Sequence, residues 1–84
     1  MNLEEKVKKL IEKKVNDLGF IIDNVEYIKE GSSYFLRITI DKTGFITIDD
    51  CVAASKVINP LLDEIENEFD ECYILDVSSK EKGN

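Results

Sequence analysis

From Tyr34 to Ile40 the chain keeps a strict period of two. Tyr34, Leu36, Ile38 and Ile40 fall on one side, and Phe35, Arg37 and Thr39 on the other. Such a repeat is a strand with one face in a core. A strand of this kind needs partners beside it and a layer above it. With 84 residues in all, there is room for one small domain and one core. Every other segment is therefore read as something that extends or covers this strand.

The segment before it, Phe20–Ile28, is also strand-like but changes phase at Asp23-Asn24, from Phe20 and Ile22 to Val25 and Tyr27. One extra residue there, a bulge, returns the later side chains to the core face. Glu30-Gly31-Ser32-Ser33 is a turn signal, so the two runs are expected to form an antiparallel hairpin. Upstream, Leu3, Val7, Leu10, Ile11, Val15 and Leu18 make one helical stripe. Asn2 and Glu5 are placed as its cap, and Gly19 as its left-handed end. Downstream, Thr47 and Asp50 are spaced as the cap of a second helix. Its apolar positions run from Ile48 through Ile58 and Leu62 to Ile65 and Phe69. Pro60 interrupts that stripe at a cost of ~3 kcal/mol. Because the stripe continues past it, one kinked helix is expected and not two. Cys72–Val77 alternates again and predicts a third strand, while the polar residues after Val77 predict a fraying tail. The expected fold is α+β, in the order α-β-β-α-β, with two helices packed on one face of a three-stranded sheet over residues 1–79. A disordered polar tail follows at 80–84.

Composition narrows the chemistry. The chain has no histidine, and so no triad base and no imidazole metal ligand. Cys51 and Cys72 alone cannot complete a zinc site. The chain opens on charged Glu4, Glu5 and Lys6 and not on a secretory leader, so reduced thiols in a cytosolic compartment are expected. No apolar run approaches the ~20 residues that span a bilayer, and no membrane partner is expected. The net charge is −7, and its placement is uneven. Asp49, Asp50, Asp63, Glu64, Glu66, Glu68, Asp70 and Glu71 are accompanied only by Lys56, while the rest of the chain holds ten acids and ten bases. That segment should repel nucleic-acid phosphates and attract a basic partner. The lysines of the first helix, Lys6, Lys8, Lys9, Lys13 and Lys14, read as a solvated face.

Three enzyme-like or nucleic-acid motifs are weak. Asp41-Lys42-Thr43-Gly44 matches the phosphorylation loop of cation-pumping ATPases, but that chemistry needs a large surrounding domain, and a strand-ending turn explains the residues. Asp49-Asp50 is accounted for by helix capping. The element order invites comparison with KH modules, yet Gly19, Gly31, Gly44 and Gly83 contain no Gly-x-x-Gly pair. No catalytic residue, metal or cofactor is expected.

Three stretches taken together carry a family resemblance: Leu18-Gly19-Phe20 with Val25–Gly31, then Leu36–Lys42, then Gly44–Cys51, closed by Leu75-Asp76-Val77-Ser78-Ser79. In this order they resemble the amino-terminal domain of the bacterial ribosome maturation factor RimP family, over about Leu3 to Ser79. The resemblance implies a cytoplasmic, non-enzymatic assembly factor that binds the immature small ribosomal subunit. It also implies a contact with a basic ribosomal protein, with direct RNA contact secondary. Family members continue into an SH3-like barrel, whereas Lys80–Asn84 stands here in place of the usual Pro-Gly link, so either a truncated product or a domain lacking that barrel is expected. Thr43 and Phe45 occupy positions where the family tends to have proline and glycine, and Pro60 and the acidic run also depart from its pattern. The candidate partner-binding residues are Asp63, Glu64 and Glu66, with Asp41 and Lys42 at the end of the second motif. A monomer is expected. The alternative is a generic interaction or dimerisation module working through the open sheet face.

Overall fold

The computed structural model describes residues 2–69 and 72–80. The elements are α1 (Leu3–Asp17), β1 (Ile21–Glu30), β2 (Ser33–Asp41), α2 (Ile48–Asp63), a 3-10 turn at Glu66–Glu68 and β3 (Tyr73–Ser79). The α-β-β-α-β order and the α+β class are as the residue pattern predicts.

β2 is the central strand. It pairs antiparallel with β1 and parallel with β3, giving the order β1-β2-β3. Its even-numbered residues Leu36, Ile38 and Ile40 are fully buried, each contributing ~1.5–3 kcal/mol of burial. The pairing with β1 shifts between Ile22 and Asn24, which leaves Asp23 as the extra residue. Ile22 therefore lies opposite Ile40, and Val25 opposite Ile38, on the same face. Val7, Ile11 and Val15 of α1 and Ala54, Ile58 and Leu62 of α2 close the core over that face.

The caps form as expected. The Glu5 N–H donates to Asn2 Oδ1 at 2.8 Å, and Gly19 has φ +94°. The Asp50 N–H donates to Thr47 Oγ1 at 3.2 Å, and the Thr47 N–H to Asp50 Oδ2 at 3.0 Å. Between β2 and α2, Gly44 takes the left-handed conformation, φ +90°, which glycine adopts at no steric cost.

α2 runs through Pro60 as one helix. Fully buried Ile58 and Leu62 flank the proline, and their combined burial offsets its penalty. The helix stops at Asp63, short of the Phe69 end that the apolar period predicts. Acids crowd its carboxyl end and its last turn holds no base, the arrangement that the helix dipole disfavours. The 3-10 turn then carries Phe69 onto the sheet, against Tyr27 (5.5 Å between ring centroids) and Tyr73 (4.3 Å).

Ser78 and Ser79, read as tail, are paired strand residues opposite Thr39 and Ile40. The Lys80 N–H donates to the Ile40 carbonyl at 2.8 Å, and its Nζ pairs with Asp23 at 3.2 Å. The remainder of the expected tail, 81–84, lies outside the described residues.

Pro60→Ala restores a backbone donor and relieves a steric clash in a helix held on both sides. We expect urea unfolding to show a gain of about 2 kcal/mol, the helix-interior penalty less the smaller entropy that proline removes from the unfolded chain.

Candidate partner-binding surface

β2 and β3 are parallel, so the helix that connects them must travel back along the sheet. α2 begins where β2 ends and finishes where β3 begins. At its start, Lys42 Nζ pairs with Asp50 Oδ2 at 2.9 Å and lies 5.6 Å from the centre of the Phe20 ring. The Lys42 N–H donates to Asp41 Oδ1 at 2.8 Å. The Thr47 backbone N–H, followed by Lys42, holds the Asp50 carboxyl below the usual carboxylate range. Asp41 and Lys42 thus serve the turn and the cap.

At the other end of α2, Asp63 closes the helix, Glu64 is its carboxyl cap, and Glu66 opens the 3-10 turn. All three are exposed. Asp63 and Glu66 border a cleft of about 470 Å³ that Asn59, Phe69, Tyr73 and Leu75 also line. Burial first, and then the charges of Asp63 and Glu66, push the Tyr73 phenol above its ordinary range. Tyr73 lies opposite Tyr34, seven residue steps along β2 from Asp41, or ~23 Å at the strand rise. The five candidate residues therefore form two groups at opposite ends of the sheet. Asp63, Glu64 and Glu66 belong together, and Asp41 and Lys42 do not join them.

The acidic group is also uncompensated. Lys6 takes Glu68 at 2.9 Å and Lys42 takes Asp50. Among the described residues, Asp63, Glu64 and Glu66 make no ion pair. Asp70 and Glu71, counted in the acidic run, lie outside the described residues. No group of three or more metal-ligating side chains is disposed to hold an ion among the described residues. No described helix is long and apolar enough to cross a membrane. Cys51 is half-buried and Cys72 exposed, and both are free.

The open side of the sheet carries three rows across β1, β2 and β3. Ile28, Phe35 and Ile74 form an apolar row, Glu26, Arg37 and Asp76 a charged one, and Asn24, Thr39 and Ser78 a polar one. Arg37 bonds Asp76 through Nε at 3.2 Å and Glu30 through a terminal nitrogen at 3.4 Å, so its charge is compensated from both flanking strands. Sequence reasoning found Phe35, Arg37 and Thr39 on this face. It missed Asn59, Tyr73 and Leu75 as neighbours of the acids. The available signal was the strand–helix–strand connection itself, the form of connection that parallel neighbours require.

A model of the RimP N-terminal domain matches residues 10–80. The chain belongs to the RimP N-terminal domain family. The matched span includes most of α1, all three strands and α2. The RimP family is one of ribosome maturation factors, which gives this RimP-type domain a ribosome-related role.

The proximity of the two carboxylates to Tyr73 is directly measurable. In the double variant Asp63→Asn, Glu66→Gln the phenol of Tyr73 should titrate lower than in the parent, yet remain above the ordinary tyrosine range because burial is the larger cause. The neutral phenol's stabilising contribution is complete below the ordinary tyrosine range. It disappears as pH rises through the raised value, so the variant should lose it at a lower alkaline pH. NMR titration of the Tyr73 ring reads both.

Proposed function

We propose that this RimP-type domain binds the immature small ribosomal subunit in the cytoplasm through a basic ribosomal protein, with the carboxyl end of α2 as the contact. The reading is supported chiefly by one observation: Asp63, Glu64 and Glu66 carry uncompensated charge at the end of a helix where the dipole opposes it. Each such placement costs ~0.3–1 kcal/mol. Residues that work against stability in this way are expected at functional sites. A negative surface of this kind raises the encounter rate with a positively charged partner and disfavours bare RNA. The domain acts as a binding module and not as a catalyst, and it works as a monomer. Asp41 and Lys42 support the start of α2 and are not part of the contact.

A second reading, a homodimer through the open sheet face, is favoured by the row Ile28, Phe35 and Ile74, in which Ile74 is 52% exposed. Sedimentation equilibrium separates the two, since a tight dimer burying that row would replace the monomeric binding module.

The triple variant Asp63→Lys, Glu64→Lys, Glu66→Lys distinguishes functional from structural carboxylates. Relative to the parent it should unfold at higher urea, by about 1 kcal/mol, because positive charge suits a helix carboxyl end. In co-sedimentation with purified small subunits it should bind at least tenfold more weakly, with a shallower salt dependence. Unchanged affinity and salt slope would remove the acidic end of α2 from the mechanism.

A further inference from the structure

The two edges of the sheet are treated differently. At the β1 edge, the outward-facing Tyr27 N–H donates to Glu4 Oε2 of α1 at 3.0 Å, so α1 occupies that edge. At the β3 edge, Lys80 N–H reaches inward to the Ile40 carbonyl. Backbone groups alternate sides along a strand, so the even-numbered residues of β3 face β2 and the N–H and C=O groups of Tyr73, Leu75, Val77 and Ser79 face outward. No described strand pairs with them. The strand, Tyr-Ile-Leu-Asp-Val-Ser-Ser, carries no proline or lysine, the usual devices that blunt an edge. Its single charge, Asp76, is already engaged by Arg37.

Beside this open edge runs α2. Ile48, Val52, Ser55, Asn59 and Asp63 recur at helical spacing along one side of it. Asn59 and Asp63 line the cleft with Tyr73 and Leu75 of β3, so the carboxyl-terminal part of this side walls a cleft beside the edge. This side of α2 changes character along its length. Ile48 is 83% and Val52 46% exposed at one end, and Asp63 and Glu66 stand at the other.

The geometry points to strand addition: an extended basic peptide segment of the partner pairs with the outward backbone groups of β3 and lays alternate side chains into the groove against α2. A lysine or arginine fits beside Asp63 and Glu66, with its aliphatic stem against Tyr73 and Leu75, and an aliphatic side chain fits beside Val52 and Ile48. Backbone pairing supplies affinity and the groove supplies selectivity, the general logic of peptides that extend a sheet. The negative groove favours a basic strand over a second copy of a chain carrying −7. The inference rests on the acidic contact proposed above and adds how the partner is held.

The test uses a nine-residue peptide alternating lysine with valine, and two analogues N-methylated on one or the other alternate set of residues. In hydrogen exchange on the full chain, the parent peptide should slow the amides of Leu75 and Val77 at least tenfold. One N-methylated analogue should bind at least tenfold more weakly and the other should retain binding, because only one set of amides faces β3. Equal binding of all three peptides, or no added protection in β3, would overturn strand addition. Protection of the same amides that grows with protein concentration alone would also overturn it, in favour of pairing between copies. Co-sedimentation of the same chain with small subunits is read in parallel. If the chain co-sediments while β3 stays unprotected by peptide, strand addition fails and the acidic contact stands. If it does not co-sediment, the parent reading fails.

Discussion

The parallel pairing of β2 with β3 decides where every other part of this domain lies. β2 is buried on its helix-facing side by Leu36, Ile38 and Ile40, and it is hydrogen-bonded on both edges. A parallel neighbour obliges the connecting helix to span the sheet from end to end. The start of α2 is thereby fixed beside Asp41 and Lys42, and its acidic end beside Tyr73. Were β3 antiparallel, no crossover helix would be required and the carboxylates would have no defined place beside its first residues.

Charge in the domain is sorted by this arrangement. Asp50 is compensated by Lys42, Glu68 by Lys6, Asp76 and Glu30 by Arg37, and Asp23 by Lys80. Such exposed pairs each contribute little to stability, but they remove local charge from the surface. Asp63, Glu64 and Glu66 are among the described acids without an ion pair, and they stand together at the end of a helix whose dipole disfavours them. These three place unpaired negative charge at one end of α2, adjacent to an open strand edge.

Much of the fold was legible in the residues because local rules and tertiary packing agree. The phase change at Asp23-Asn24 reads as a bulge because Val25 and Tyr27 must face the same core as Ile22. Thr47 and Asp50 read as a cap because only that spacing satisfies both free amides. Two features were not legible. The apolar period through Ile65 and Phe69 argues for a longer α2. The helix ends earlier because Asp63, Glu64 and Glu66 oppose its dipole, and periodicity carries no information about that competition. The grouping of the candidate site was hidden for a different reason. Asp41 and Lys42 are prominent in sequence, but whether they stand near Asp63 depends on strand direction, which side-chain alternation does not encode.

The central claim is that the partner docks on the carboxylates at the end of α2. Zero-length carbodiimide coupling of the parent chain to purified small subunits, read by mass spectrometry, tests it most directly because it joins only carboxylates and amines in contact. The account predicts coupling concentrated at Asp63, Glu64 and Glu66, to lysines of a ribosomal protein. Coupling spread evenly over the acids of the chain, or confined to the lysines of α1, would contradict it.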